Sequence, residues 1–96
     1  MRIQIRKFGP MLSRQAGSEA AKAFQPTLRE LKAEENLEID FEGVLTFSPS
    51  WGDEFLSPLA SELHERLVLL PSDNLSVQAT VRLLEEISKQ KFRTQS

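Results

Sequence analysis

The chain has 96 residues, 40% hydrophobic and 27% charged, with 12 basic and 14 acidic side chains and a net charge of −2. That composition supports one domain with one core. It is too apolar for disorder and too evenly charged for a protein built around phosphate-backbone binding.

Cysteine is absent, which excludes disulfides, cysteine nucleophiles and thiolate metal sites. The start, Met1-Arg2-Ile3-Gln4-Ile5-Arg6-Lys7, lacks the apolar run of a signal peptide. No stretch approaches the roughly 20 apolar residues of a membrane span. A cytoplasmic protein without membrane contact is the expectation.

In chain order, Ile3, Ile5 and Lys7 alternate with Gln4, Arg6 and Phe8, the period of a strand, until Gly9-Pro10 breaks it. Ser13 opens a helix in which Ala16, Ala20, Phe24, Leu28 and Leu31 recur on one side. Pro26 removes a backbone donor, so the helix should kink there. Leu37, Ile39 and Phe41 then alternate with Glu38, Asp40 and Glu42. A strand buried on both faces would be apolar throughout, so this one predicts a sheet with a charged face left partly open. Arg6 is expected opposite one of its acids.

Gly43 ends the strand, and residues 44–47 extend it after a turn or bulge. In Ser48-Pro49-Ser50-Trp51-Gly52-Asp53-Glu54, Ser48 reads as an N-cap followed by proline at the first helical position. Asp53 and Glu54 are placed in the first turn, where acids suit the helix dipole. Trp51, Phe55, Leu59 and Leu63 form an apolar stripe, and Pro58 interrupts it, with Ser57 as a cap for a restarted helix. Leu67 to Leu70 reads as a third strand. Pro71-Ser72-Asp73-Asn74 reads as a turn capping a last helix, with Val77, Val81, Leu84 and Ser88 on one stripe and Thr80, Leu83 and Ile87 adjoining. The order β-α-β-α-β-α implies a single small α/β domain over residues 1–93, with a mainly parallel sheet, helices predominantly on one face, and a frayed tail at 94–96.

The chemistry-bearing residues are sparse. His64 is the only histidine, and no Gly-x-Ser-x-Gly elbow accompanies it. Neither phosphate-binding glycine pattern occurs. No catalytic residue, metal site or cofactor is assigned. Asp40, Glu42, Asp53 and Glu54 are the acids that a cation or nucleotide at a strand's carboxyl end would use, although solvated strand and helix-start acids read the same way. Ser50, on the first helical turn, has its hydroxyl near free backbone N–H groups, where a phosphoryl group would be stabilised.

The segment Leu37-Glu38-Ile39-Asp40-Phe41-Glu42-Gly43-Val44, followed by Phe47 to Leu56, resembles the bacterial STAS-like domains of unknown function. There a comparable strand leads into a serine-rich turn and an acidic helix start. More distantly it is similar to the anti-anti-sigma factors, in which a serine at the helix start is phosphorylated by a partner kinase. The resemblance places Ser50 on that serine, with Pro49 and Trp51 as departures from the pattern. It implies a STAS-like fold and a regulatory module that is not an enzyme. That module would dock a histidine-kinase-like ATPase through Ser48, Ser50, Trp51, Asp53 and Glu54, switched by modification of Ser50. No nucleic acid or small-molecule substrate is implied. Two rivals stand beside it. One is a small nucleotide- or metal-binding protein or enzyme using Asp40 and Asp53. The other is an antitoxin-like or structural subunit that buries Trp51 in an obligate complex.

Overall fold

The computed structural model describes residues 1–89 and 91–94. Four short strands, β1 (Arg2–Gln4), β2 (Leu37–Asp40), β3 (Leu67–Leu69) and β4 (Arg93–Thr94), pair in the order β1-β2-β3-β4, with every neighbouring pair parallel. Helices α1 (Arg14–Leu28), α2 (Pro49–Leu63) and α3 (Leu75–Ser88) make the three crossovers. Because strand order follows chain order, right-handed crossovers put all three helices on the same side of the sheet. The middle helix, α2, accordingly packs against both α1 and α3. The α/β architecture with one helical layer is the one the alternating pattern predicts.

Alternation sorts the sheet side chains. Leu37, Ile39, Leu67 and Leu69 join the core under the helices, while Glu38 and Asp40 are half-buried on the opposite face. Arg2 stands directly across from Glu38 in the β1–β2 register, and their side chains pair at 3.2 Å. This pairing replaces the one expected for Arg6. The chain leaves the strand after Gln4 in a 3-10 turn over Ile5–Phe8, so Arg6 lies against Gly43 instead. Val68 shows what the open face can still bury. It sits between Glu38 and Arg93 in the pairing register and is only 4% exposed.

The prolines act differently from expectation. α1 runs through Pro26 and stops two residues later, because a proline in the last turn removes little of the ladder. α2 continues unbroken through Pro58. Ser57 does not cap a second helix there; its hydroxyl donates to Asp53 Oδ1 at 3.0 Å. Residues 44–47 are not a strand extension. They form a loop whose single parallel bridge joins Phe47 to Met11. β4 is a strand that the sequence pattern does not announce: Thr94, expected to fray, pairs with Leu69. Residues 95 and 96 lie outside the described residues.

Candidate functional site

The connection from β2 into α2 is built around Phe47. Its ring is 1% exposed and lies edge-on to Phe41 and Trp51. Its N–H donates to Ser76 Oγ at 3.2 Å, and its carbonyl accepts from Thr80 Oγ1 at 2.6 Å, so α3 holds both sides of this residue's backbone. Ser48 then caps α2. Its Oγ accepts from Trp51 N at 3.2 Å and donates to the Leu12 carbonyl at 2.9 Å, and its own N–H reaches the Met11 carbonyl at 3.0 Å. Ser48 is therefore a joint between two loops, with its hydroxyl fully used.

Trp51 is core. It is 0% exposed, stacked on Phe55 at 4.9 Å between centroids and 25° between planes, with Phe8 and Phe47 at its other sides. Its Nε1 has no hydrogen-bond partner among the described residues. The side chain expected to anchor a partner is thus enclosed by this chain's own aromatic residues, as a four-residue apolar stripe on a helix ordinarily is.

Asp53 and Glu54 lie beyond the first turn of α2, which holds no acid. They are paired across the helix layer: Arg14 Nη1 donates to Asp53 Oδ2 at 2.9 Å and to Glu54 Oε1 at 3.0 Å. The Arg14 guanidinium, followed by the Ser57 hydroxyl, holds the Asp53 carboxyl below the usual carboxylate range against the opposing effect of burial. Both acids serve the α1–α2 contact rather than the helix dipole.

Ser50 differs from its neighbours. It is half-buried, and its hydroxyl enters none of the hydrogen bonds that tie this corner together. Of the five residues expected to meet a partner, it keeps an uncommitted polar group at the molecular surface.

The acids of the metal or nucleotide reading are not brought to one place. Asp40 Oδ1 accepts from Glu42 N at 3.0 Å in its own turn and lines a hollow with Glu42, Asp73 and Asn74. Asp53 is engaged by Arg14 and Ser57. A sheet whose strands run in chain order has no reversal point, which is where open α/β sheets form their ligand crevice. Among the described residues, no group of three or more His, Asp or Glu side chains is placed to hold a metal ion. His64 is exposed at the end of α2, with a left-handed φ of 54°.

The same end of the sheet carries a feature that periodicity does not reveal. One exposed leucine stands in or directly after each of the three strand-to-helix connections: Leu12 at 59% and Leu45 at 88% in loops, and Leu75 at 78% as the first residue of α3. Leu12 immediately precedes the Ser13 cap of α1. A residue there ordinarily staples against the fourth helical position, but that position is Gly17, which offers no side chain. Leu45 is fixed by Asn74, whose Nδ2 donates to the Val44 and Leu45 carbonyls at 2.6 and 3.0 Å. Between the first two connections lies an open groove of about 320 Å³, lined by Arg6, Pro10, Leu12, Val44, Leu45 and Thr46 among others. The sequence signal was available: leucines in loops and at a helix start, at positions no core pattern requires.

No helix among the described residues is long and apolar enough to cross a membrane. No protein-family model matches the chain significantly, and neither does any curated protein or solved structure.

Proposed function

We propose that the chain is a protein-docking regulatory module of the STAS-like kind and not an enzyme. Its contact surface is the rim formed by Leu12, Leu45 and Leu75, with Ser50 at the start of α2. The observation that carries this reading is the display of one solvent-exposed leucine in or directly after each of three successive strand-to-helix connections. Scattered exposed leucines are ordinary, whereas apolar side chains gathered on loops and a helix start at one end of a rigid sheet mark an interaction surface. Ser48 and Trp51 belong to the scaffold of this surface, and Arg14 holds Asp53 and Glu54 beside it.

The partner implied by the resemblance is a histidine-kinase-like ATPase. A phosphoryl group on Ser50 would add about two negative charges at the start of α2, near Asp53 and Glu54, and repel an acidic partner surface. The test is capture from a cytoplasmic extract with the wild-type chain, Leu45→Glu/Leu75→Glu, Ser50→Ala and Ser50→Asp as baits. A partner retained by wild type and Ser50→Ala, lost with the double leucine variant and weakened by Ser50→Asp is the expected result. Equal capture by all four baits refutes the docking surface. Loss with the leucine variant but not with Ser50→Asp refutes the switch alone.

A further inference from the structure

α3 closes one end of the helical layer: α2 lies between it and α1, and its far side meets no other helix among the described residues. Three apolar residues at spacing four run along its solvent side. Ala79 is exposed, Leu83 is 39% exposed and Ile87 is 64% exposed. Residues four apart lie one above another on a helix, so the three form a continuous stripe. Val77, Thr80 and Leu84 already supply the buried face, so the stripe is additional to what the fold uses.

Arg82 and Glu86 border this stripe on its outer side, also four residues apart. Both are exposed, and neither belongs to an ion pair among the described residues. We propose that this face binds a second copy of the chain, with the two α3 helices antiparallel about a two-fold axis level with Leu84. In that register Leu83 seats between Leu83 and Ile87 of the second copy, the interdigitation that packed helices adopt. Arg82 then stands at the height of Glu86 of the second copy, and the symmetry makes this pair twice. A parallel two-fold would carry the outer sides of the two helices to opposite sides of the seam, where neither Arg82 nor Glu86 meets the other. The charge pattern therefore selects the second copy and its direction together.

Five side chains on each partner cover well under the roughly 800 Å² per partner of a standard interface, so the dimer is weak and concentration-dependent. It leaves Leu12 and Leu45 of the docking rim untouched, and Leu75, one turn before Ala79 on α3, lies beyond the overlap of the two helices in this register.

The test is sedimentation equilibrium of the full chain from roughly 1 µM to 1 mM, with circular dichroism to confirm that each variant is folded. The wild type passes from monomer to dimer in this range. Leu83→Glu and Ile87→Glu remain monomeric, while Leu45→Glu dimerises as the wild type does. Arg82→Glu and Glu86→Arg each move the midpoint to about tenfold higher concentration. An equimolar mixture of these two restores association, because both acids of the first variant then face arginines of the second. A monomeric wild type at all concentrations, a dimer that survives Leu83→Glu, or a mixture no tighter than its components overturns the proposal.

Discussion

A β-carbon built on Gly17 would stand 2.6 Å from the carbonyl oxygen of Trp51 and 2.9 Å from its Cα. The glycine is there because α1 and α2 touch backbone to backbone at this point. Arg14, one turn earlier on α1, reaches Asp53 and Glu54 from the same contact. Two effects of opposite sign follow for Gly17→Ala. Helix propensity favours alanine by about 1 kcal/mol, while overpacking costs about 1–3 kcal/mol. A main-chain carbonyl cannot rotate aside as a side chain can, so the clash prevails. Gly17→Ala should be less stable by about 1–2 kcal/mol, read as a lower urea midpoint at unchanged slope.

Ser48 and Ser50 should separate cleanly in stability. Ser48→Ala removes the α2 cap and the bond to the Leu12 carbonyl, a loss of about 1–2 kcal/mol. Ser50→Ala removes no bond of the corner and should lie within about 0.5 kcal/mol of the wild type. Thermal unfolding of the two variants side by side decides whether Ser48 is scaffold and Ser50 is free.

The acid limb of stability should depend on Arg14. The Asp53 carboxyl is held below its ordinary value by Arg14 and then by Ser57. A carboxylate depressed in the folded state contributes stability that is complete above its unfolded value, near 3.9. That contribution is lost as pH falls through the folded value. Arg14→Met should raise the Asp53 midpoint toward the ordinary range and shrink the stability difference between pH 6 and pH 3. Carbon-detected NMR titration of the side-chain carboxyl reads the shift, and an unmoved midpoint would contradict the pairing.

Asn74 performs two tasks with two ends of one amide. Its Oδ1 accepts from Ser76 N and Val77 N at the start of α3, and its Nδ2 donates to the loop carbonyls of Val44 and Leu45. Asn74→Asp preserves the cap and removes the donor; Asn74→Ala removes both. Hydrogen exchange should therefore quicken at residues 44–47 in both variants, and at the first turn of α3 in Asn74→Ala alone. The alanine variant should also lose about 1–2 kcal/mol more than the aspartate variant.

Trp51 emission should be that of an indole shielded from water, with weak quenching by iodide, in the isolated chain. A red-shifted, readily quenched spectrum would return Trp51 to the surface.

The elements with strong alternation or strong caps could be read directly. Leu37 to Asp40 shows period two without interruption, and Ser13, Ser48 and Asn74 each cap the helix they precede. One-sided helices followed from the acids of β2. What eluded the pattern depends on contacts distant in sequence. β1 stops at Gln4 although its alternation continues, because a 3-10 turn buries Ile5 and carries Arg6 and Lys7 outward. β4 is two residues long and exists through its pairing with Val68 and Leu69. For the site, the sequence left Trp51 open between core and interface: its apolar stripe suited a core and the resemblance put it on a docking surface. The stacking on Phe55 and the proximity of α1 at Gly17 explain its burial. Arg14 could not be assigned to Asp53 and Glu54 from sequence, since about forty residues separate them.

The grip of Ser76 and Thr80 on Phe47 has a mechanical corollary. Two residues before that anchored peptide, Leu45 stands in water on a loop with little freedom left to surrender. A visitor settling on it would meet a landing stage already set, and association would remove little motion from this side. Any give in the encounter must then come from the visitor, whose own segments would supply whatever ordering the complex requires.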